Sequence, residues 1–542
     1  MNFFSKFYFI SFFMNLFSFF LLMFSFYSLF TGQCFMLEFE LLNFNSVNFN
    51  FLFFLDWISL TFSFVVMFIS SLVLVYSKIY LQKECHRFLW LTMMFIFFML
   101  LMIMSPSVLG VILGWDGLGI VSYCLVIYYQ SKDSFNSGFI TAASNRIGDS
   151  FLMLSIVWYS FSGNFLFWNS NIGILFLLLA CLTKSAQFPF SAWLPAAMAA
   201  PTPISSLVHS STLVTAGVYI MIRFNYVIIE LYLMSWLTLI SGITIFLAGI
   251  SAIQEYDLKR IVALSTLGQL GFMIMILSLG YPNIAFFHLV IHAMFKSLLF
   301  LCSGSIIHSG MSFQDLRKMG CFHMDLVVKT CFYVSNFCLM GIPFTSGFYS
   351  KDMLLELCYC SYSGMGVGMF MYFMTMLTVM YTLRMMMFLN KNNFWVTWTK
   401  VQTKMSICLL ILTLMNVKIG TFFNWIMLNN IEMICLLKEI KILPLLMIVI
   451  SMLLISLLKF KKIHMFLSEL LFISSITKNM SSLIKIMFLL YKIGDQGWME
   501  MFLFTSKNLL LINAFWIKNV LSGGMYMYMY SMGIILIVII LV

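Results

Sequence analysis

Apolar runs near the length of a bilayer span recur along almost the whole chain, and they constrain the fold more than any single motif does. Tyr8 to Phe30, Leu55 to Ser77, Phe88 to Met104, Trp236 to Ile253 and Met525 to Val542 are examples. Each is close to the roughly 20 residues that a transmembrane helix needs, and about 15 or 16 such spans fit the sequence. Alternation with a period of two, the mark of a membrane barrel, is nowhere sustained, so the backbone must satisfy its own polar groups within helices. The expected fold class is an all-α polytopic membrane protein. Composition excludes a soluble alternative, since 62% of the 542 residues are apolar and 9% are charged.

The net charge of +11 sits mainly in short connections such as Lys78, Lys83 and Arg87, and from Lys459 onward. Anionic lipid headgroups account for that distribution better than nucleic acid does. The 12 cysteines are scattered, and the tightest pair, Cys358 and Cys360, is too close for a zinc or iron-sulfur loop, so they read as small buried residues and no metal site is expected. Met1 to Phe30 lacks both a small-residue cleavage site and an Arg-rich amphipathic pattern, and reads as a first span that stays. The 61 Phe and 46 Met exceed what packing asks for. An A+T-rich organelle genome in which an additional codon means Met would produce that bias.

The helical pattern breaks twice inside apolar sequence. The first break is Gln187-Phe188-Pro189, followed by Pro195, Pro201 and Pro203; the second surrounds Gly341-Ile342-Pro343 and Gly347. Lys184 lies just before the first and Lys351 just after the second. Broken backbone at membrane depth is tolerated only inside protein or beside water, and a pair of such breaks in two halves of a chain points to an inverted-repeat transporter. Ordinary interhelical loops are the competing account. Beyond Lys459 the character changes: Lys478, Lys485 and Lys492 stand at intervals of seven, on one helical face. Such a helix lies along the membrane or along neighbouring subunits; two short spans joined at Gly494-Asp495-Gln496-Gly497 are the alternative. The expected domains are N-terminal spans over 1–105, a transporting core over 106–390, further spans over 391–460, a lateral amphipathic helix over 461–522 and a last anchor over 523–542.

Ionisable residues inside apolar spans carry the functional argument, because each costs a few kcal/mol unless paired or hydrated. Asp116, the pair Arg146 and Asp149, Lys184, His209 and Arg223 fall within or beside such spans. His288, His292 and Lys296 follow at helical spacing as one stripe, and Lys351, Asp352 and Arg384 complete the set. An ammonium held away from water grips its proton less tightly, and a nearby carboxylate restores the grip, so moving the carboxylate releases the proton. Histidine suits the positions between, since its ordinary pKa of about 6.5 lets it take and return protons near neutral pH. For Arg146 with Asp149, and for Arg384, pairs that only lock helices together remain an alternative. Gly114, Gly117 and Gly119 around Asp116 read as close helix packing rather than a nucleotide loop, and no Rossmann fingerprint, P-loop, haem ligand pair or iron-sulfur motif is present.

Several segments together resemble the antiporter-like subunits of respiratory complex I. They are Leu113 to Tyr123, Asn145 to Asp149, Thr183 to Pro189, Trp193 to His209, Asp257 to Ser265, His292 to Lys296, Ser303 to His308 and Gly347 to Asp352. The long carboxyl-terminal extension is similar to that of the chain 5 branch; the related branches are chains 4 and 2 and the multisubunit cation/proton antiporters. Asp116 stands where that family usually has Glu. The resemblance implies a membrane-arm subunit that couples NADH-to-ubiquinone electron transfer elsewhere in the complex to proton translocation across the inner mitochondrial membrane. Asp116 would modulate Lys184, His209, His288 and His292 would form a hydrated central relay, and Lys351 with Asp352 a second half-channel. NADH, FMN, iron-sulfur clusters and ubiquinone would belong to partner subunits, with no cofactor in this chain. Its partners would be chains 4 and 2 along the lateral helix, lipid including cardiolipin, protons and water. A sodium/proton antiporter and a structural scaffold without ion traffic are the alternatives; a scaffold would tolerate Lys184→Met.

Overall fold

The computed structural model describes residues 3–44, 47–81, 85–162, 165–166, 173–230, 233–319, 325–360, 364–390, 398–427, 437–457, 485, 487–522 and 526–541. They fall into two compact units, Met1–Leu471 and Phe472–Val542. Among the described residues, 10 helices are long and apolar enough to cross a membrane, and shorter apolar helices lie between them. The chain is an all-α polytopic membrane protein with one exception, a β-hairpin.

The first unit opens with α1 (Phe3–Thr31), which lies along α2 (Trp57–Leu81). Between them β1 (Phe35–Phe44) pairs antiparallel with β2 (Val47–Leu55), with a register shift between Glu40 and Leu42. The sequence reading assigned this region to spans and connections. Glu38, Glu40, Asn48 and Asn50 alternate with Phe and Leu here, a period-two pattern too short to be conspicuous. The Asn50 amide donates to the Glu38 carboxylate across the pair.

Two sets of five segments follow. The first comprises α3 (Cys85–Met104), α4 (Val108–Val126), α5 (Lys132–Ser162), a broken segment of α6 (Gly173–Lys184) and α7 (Trp193–Ala196), and Thr202–Arg223, which contains α8 (Thr202–Ile204) and α9 (Leu213–Arg223). After the short α10 (Asn225–Glu230), the second comprises α11 (Met234–Gln254), α12 (Leu258–Ser278), α13 (Pro282–Ser309), a broken segment of α14 (Leu326–Met340) and α15 (Ser346–Cys360), and α16 (Gly364–Asn390). The fourth segment is interrupted in both sets. An odd number of crossings returns the chain to the opposite face, so the second set runs inverted relative to the first. α17 (Thr403–Met427) and α18 (Lys438–Leu457) complete the unit.

Local chemistry explains both breaks. Beyond α6 the amides of Ser185 and Gln187 still reach the carbonyls of Cys181 and Leu182, at 2.9 and 3.0 Å, while the Trp193 indole donates to the Thr183 carbonyl at 3.0 Å. The end of the half-helix is therefore satisfied by protein rather than lipid. α14 stops at Gly341, whose φ of +82° is the left-handed cap that glycine adopts freely. Pro343 then prevents continuation, and α15 restarts so close to α14 that a Cβ on Gly347 would fall 1.8 Å from the Cys338 carbonyl oxygen. Gly114 and Gly117 serve close packing as expected, their missing Cβ atoms lying within 2.6 and 2.3 Å of Met102 and Phe98 on α3.

In the second unit, residues 487–522 are helical and end in α19 (Glu500–Ser522), and α20 (Tyr526–Leu541) follows. The turns at Ile493–Met499 are wide π-type turns, and the helix continues through Gly494 and Gly497. Lys478, with all of 461–484, lies outside the described residues.

Candidate functional site

Lys184 occupies the last turn of α6 and is 1% exposed. Its Nζ donates to the Trp115 carbonyl at 3.3 Å and faces the Trp115 ring at 4.9 Å, while the indole Nε1 donates to Asp149 Oδ1 at 2.8 Å. Trp115 on α4 thus joins the ammonium on α6 to the carboxylate on α5. Asp149 also pairs with the exposed Arg146 at 3.2 Å. Asp116 makes no ion pair with Lys184 within 4.0 Å; it lies within electrostatic reach, behind Asp149 in influence, and its Oδ1 has no hydrogen-bond partner among the described residues. Gly119 leaves room here, since a Cβ would stand 3.7 Å from Lys184 Nζ. The sequence singled out Asp116 as the modulator and missed Trp115, whose role depends on the meeting of three helices.

His209 lies in the next segment, within a π-helical stretch at Ser205–Thr212. Wide turns of this kind recur at functional sites. The Thr212 hydroxyl donates five residues back to the Leu207 carbonyl at 2.7 Å, while the buried His209 ring, near Trp193, has neither nitrogen hydrogen-bonded among the described residues. Pro201 and Pro203 lead into this segment, Pro203 within the first turn of α8. Pro189 precedes the helical turn at Phe190–Ala192.

The expected stripe stands on α13, an unbroken helix whose central residues, Ile284 to Ile307, are all buried. His288 Nδ1 is 2.9 Å from Ser350 Oγ on α15 and Nε2 is 3.2 Å from Gln269 Oε1 on α12. The His288 and His292 ring centroids are 6.4 Å apart, and His292 has neither nitrogen hydrogen-bonded among the described residues. One turn further, Lys296 Nζ donates to Ser265 Oγ at 2.5 Å. The Lys351 ammonium donates to the Leu339 carbonyl at the second break and is within electrostatic reach of His288, His292 and Lys296. Lys351 and Asp352 line a cavity of about 20 Å³ together with Gly341, Thr375 and Pro444 of α18, room for about one water molecule.

Some residues stand apart. Arg384 donates to the Glu255 carbonyl at 2.6 Å and lies over Tyr256, so it closes the end of α11 rather than joining the buried chain. Arg223 forms a bidentate pair with Asp56, at 2.6 and 2.7 Å, and also donates to Tyr219 Oη. Asp56 lies 167 positions away, so sequence periodicity could not pair them. Lys259, 5% exposed, donates to the Ala200 carbonyl at 3.2 Å; it was not singled out from the sequence.

Comparison with known proteins fits this arrangement. Residues 105–378 match the family model described as NADH:quinone oxidoreductase/Mrp antiporter, TM, and residues 41–89 match that for the NADH-ubiquinone oxidoreductase (complex I) chain 5 N-terminus. NADH-ubiquinone oxidoreductase chain 5 of Anopheles gambiae is 42% identical over 94% of both chains. That of Locusta migratoria is 45% identical over 76% of this chain and 75% of its own. In fold the chain is similar to the Mrp complex of a Dietzia species, with a TM-score of 0.73 at 19% identity, over 95% of this chain and 58% of that one. It is also similar to the archaeal membrane-bound sulfane sulfur reductase, with a TM-score of 0.69 at 17% identity, over 83% and 93%. The chain belongs to the NADH-ubiquinone oxidoreductase (complex I) chain 5 family.

Proposed function

We propose that this chain carries protons across the inner mitochondrial membrane as part of complex I, driven by NADH-to-ubiquinone electron transfer in partner subunits. The observation that carries the reading is a file of buried amines and imidazoles with too few carboxylates to be locking pairs: Lys184, His209, His288, His292, Lys296 and Lys351 are each at most 4% exposed. Ion pairs serving only architecture would come with matched acids, whereas Lys296 and Lys351 bond a neutral hydroxyl and a carbonyl. A buried amine held by neutral groups can give up its proton without leaving an unpaired charge.

Asp149, held by Trp115 beside Lys184, and Asp116 would set the loading of the first half. His209, His288 and His292 would pass protons through the middle, and Lys351 with Asp352 would serve the second half. NADH, FMN, iron-sulfur clusters and ubiquinone fall to partner subunits under this reading. Chains 4 and 2 are the expected neighbours of residues 461–522, and anionic lipid, cardiolipin included, of the basic surface.

Vesicles containing the assembled complex test the reading. NADH with ubiquinone should drive proton movement that falls severely in Lys184→Met and in Lys351→Met. Sodium-driven proton exchange without an electron donor would favour an antiporter instead, and undiminished proton movement in both variants would leave only a scaffold.

A further inference from the structure

His288 differs from the other two relay histidines in having both ring nitrogens engaged, by Ser350 Oγ at 2.9 Å and Gln269 Oε1 at 3.2 Å. Neither nitrogen of His209 or His292 is hydrogen-bonded among the described residues. An amide oxygen can only accept, so the nitrogen facing Gln269 Oε1 carries the hydrogen of the neutral ring and Nδ1 is left as the base. A proton therefore joins His288 at Nδ1, where the facing group is the Ser350 hydroxyl. That hydroxyl both donates and accepts, and Ser350 immediately precedes Lys351 on α15. Its other bond, to the Gly347 carbonyl in its own helix, is 3.3 Å long and readily exchanged. Gln269 and Ser350 are both fully buried, on helices that flank α13.

We propose that Ser350 is the hydroxyl through which His288 exchanges protons with the Lys351 side, and that Gln269 is a positioning residue that keeps the hydrogen on Nε2 and closes the opposite face of the ring. In the transfer, Ser350 passes its O–H hydrogen to Nδ1 while its Oγ takes a proton from the Lys351 ammonium, directly or through water, which leaves Lys351 a neutral amine. His288 becomes an imidazolium and the serine is regenerated; the reverse sequence empties the site. The second break then has a mechanical meaning, because α15 carries both Lys351 and the hydroxyl that serves it. A small displacement of that half-helix would open the 2.9 Å contact and disconnect the relay.

The inference rests on the proton-carrying reading above, and four variants separate the two: Ser350→Ala, Ser350→Thr, Gln269→Leu and Lys351→Met, compared in the assembled complex. Assembly is checked on a native gel, and the readouts are quinone-linked turnover and protons moved per NADH. Ser350→Ala should lower coupled turnover by about 100-fold, the scale of a lost proton-transfer group, and Ser350→Thr should restore it to within a few fold. Gln269→Leu should move fewer protons per NADH, because the ring can then pass protons by either nitrogen. Should Ser350→Ala fail to assemble, Ser350→Cys takes its place with a loss in the same direction. Normal coupling in Ser350→Ala, or a Ser350→Thr variant as impaired as Ser350→Ala, overturns the relay; an unchanged proton ratio in Gln269→Leu overturns the positioning role. A silent Lys351→Met defeats the underlying reading itself, whereas an impaired Lys351→Met beside a normal Ser350→Ala defeats only this inference.

Discussion

Replacing Trp115 with Phe isolates the bridge between Lys184 and Asp149. Phe keeps an aromatic face toward the ammonium, which now lies 4.9 Å from the ring centroid, and leaves the backbone carbonyl that accepts from Nζ at 3.3 Å. It removes the indole N–H that holds Asp149 Oδ1 at 2.8 Å, together with part of a buried ring. A hydrogen bond to a charged acceptor contributes roughly 1.5–3 kcal/mol. The Asp149 side chain is 14% exposed, so water partly replaces the lost donor and the lower end applies. Arg146 cannot make up the difference, because it is 62% exposed and such a pair contributes only about 0–1 kcal/mol. A loss near 1.4 kcal/mol corresponds to about a tenfold fall in the population that keeps the carboxylate beside the lysine. Quinone-linked NADH turnover should therefore fall by up to about tenfold in membranes that contain normal amounts of assembled complex. Turnover with an artificial acceptor that takes electrons before the membrane arm should not change. Parental quinone-linked turnover in Trp115→Phe would refute the bridge, and so would an equal loss with both acceptors.

Three further outcomes follow from packing and charge. Asp56→Asn breaks a part-buried bidentate pair with Arg223, so it should cost about 1.5–3 kcal/mol and lower the amount of assembled complex on a native gel. Gly217→Ala would place a Cβ 2.6 Å from the Cys181 carbonyl where α9 crosses α6, a clash of about 1–3 kcal/mol that should lower the thermal midpoint, whereas Gly366→Ala meets nothing within 4 Å and should be neutral or slightly stabilising. In the connection after α13, Arg317 beside Asp315 holds that carboxyl below its ordinary value of 3.8. A depressed carboxyl stabilises the folded chain above its unfolded pKa and loses that contribution as pH falls through the folded one, so Asp315→Asn should be slightly less stable than the parent at neutral pH and the difference should vanish in acid, its size kept small by solvent screening.

Much of the fold was legible because the bilayer restricts the choices. Apolar length gives helices, and Pro343 beside Gly341 interrupts a helix wherever it occurs. The stripe of His288, His292 and Lys296 was readable for the same reason, since residues one turn apart share a face whatever surrounds them. What escaped depends on contacts between helices. Trp115 looked like one more aromatic until α4, α5 and α6 were assembled around it. Gln269 and Ser350 carry no charge, so nothing in the sequence distinguishes them from other buried polar residues, and Lys259 meets its partner, the Ala200 carbonyl, 59 positions away. Arg384, for which the sequence left a helix-locking role open, bonds the Glu255 carbonyl at the end of a neighbouring helix, a partner that its own span could not reveal. The β-hairpin was missed because its alternating polar residues, Glu38, Glu40, Asn48 and Asn50, occupy a stretch shorter than the windows that reveal a span.

The most direct test compares Lys184→Met with Lys184→Arg in sealed vesicles of the assembled complex, reading protons moved per NADH oxidised by ubiquinone. Methionine keeps the length of the side chain but cannot hold a proton, and arginine holds one that it does not release. The account predicts that both variants lose most proton movement while electron entry from NADH is preserved. Full proton movement in either variant, with parental amounts of assembled complex, would contradict it.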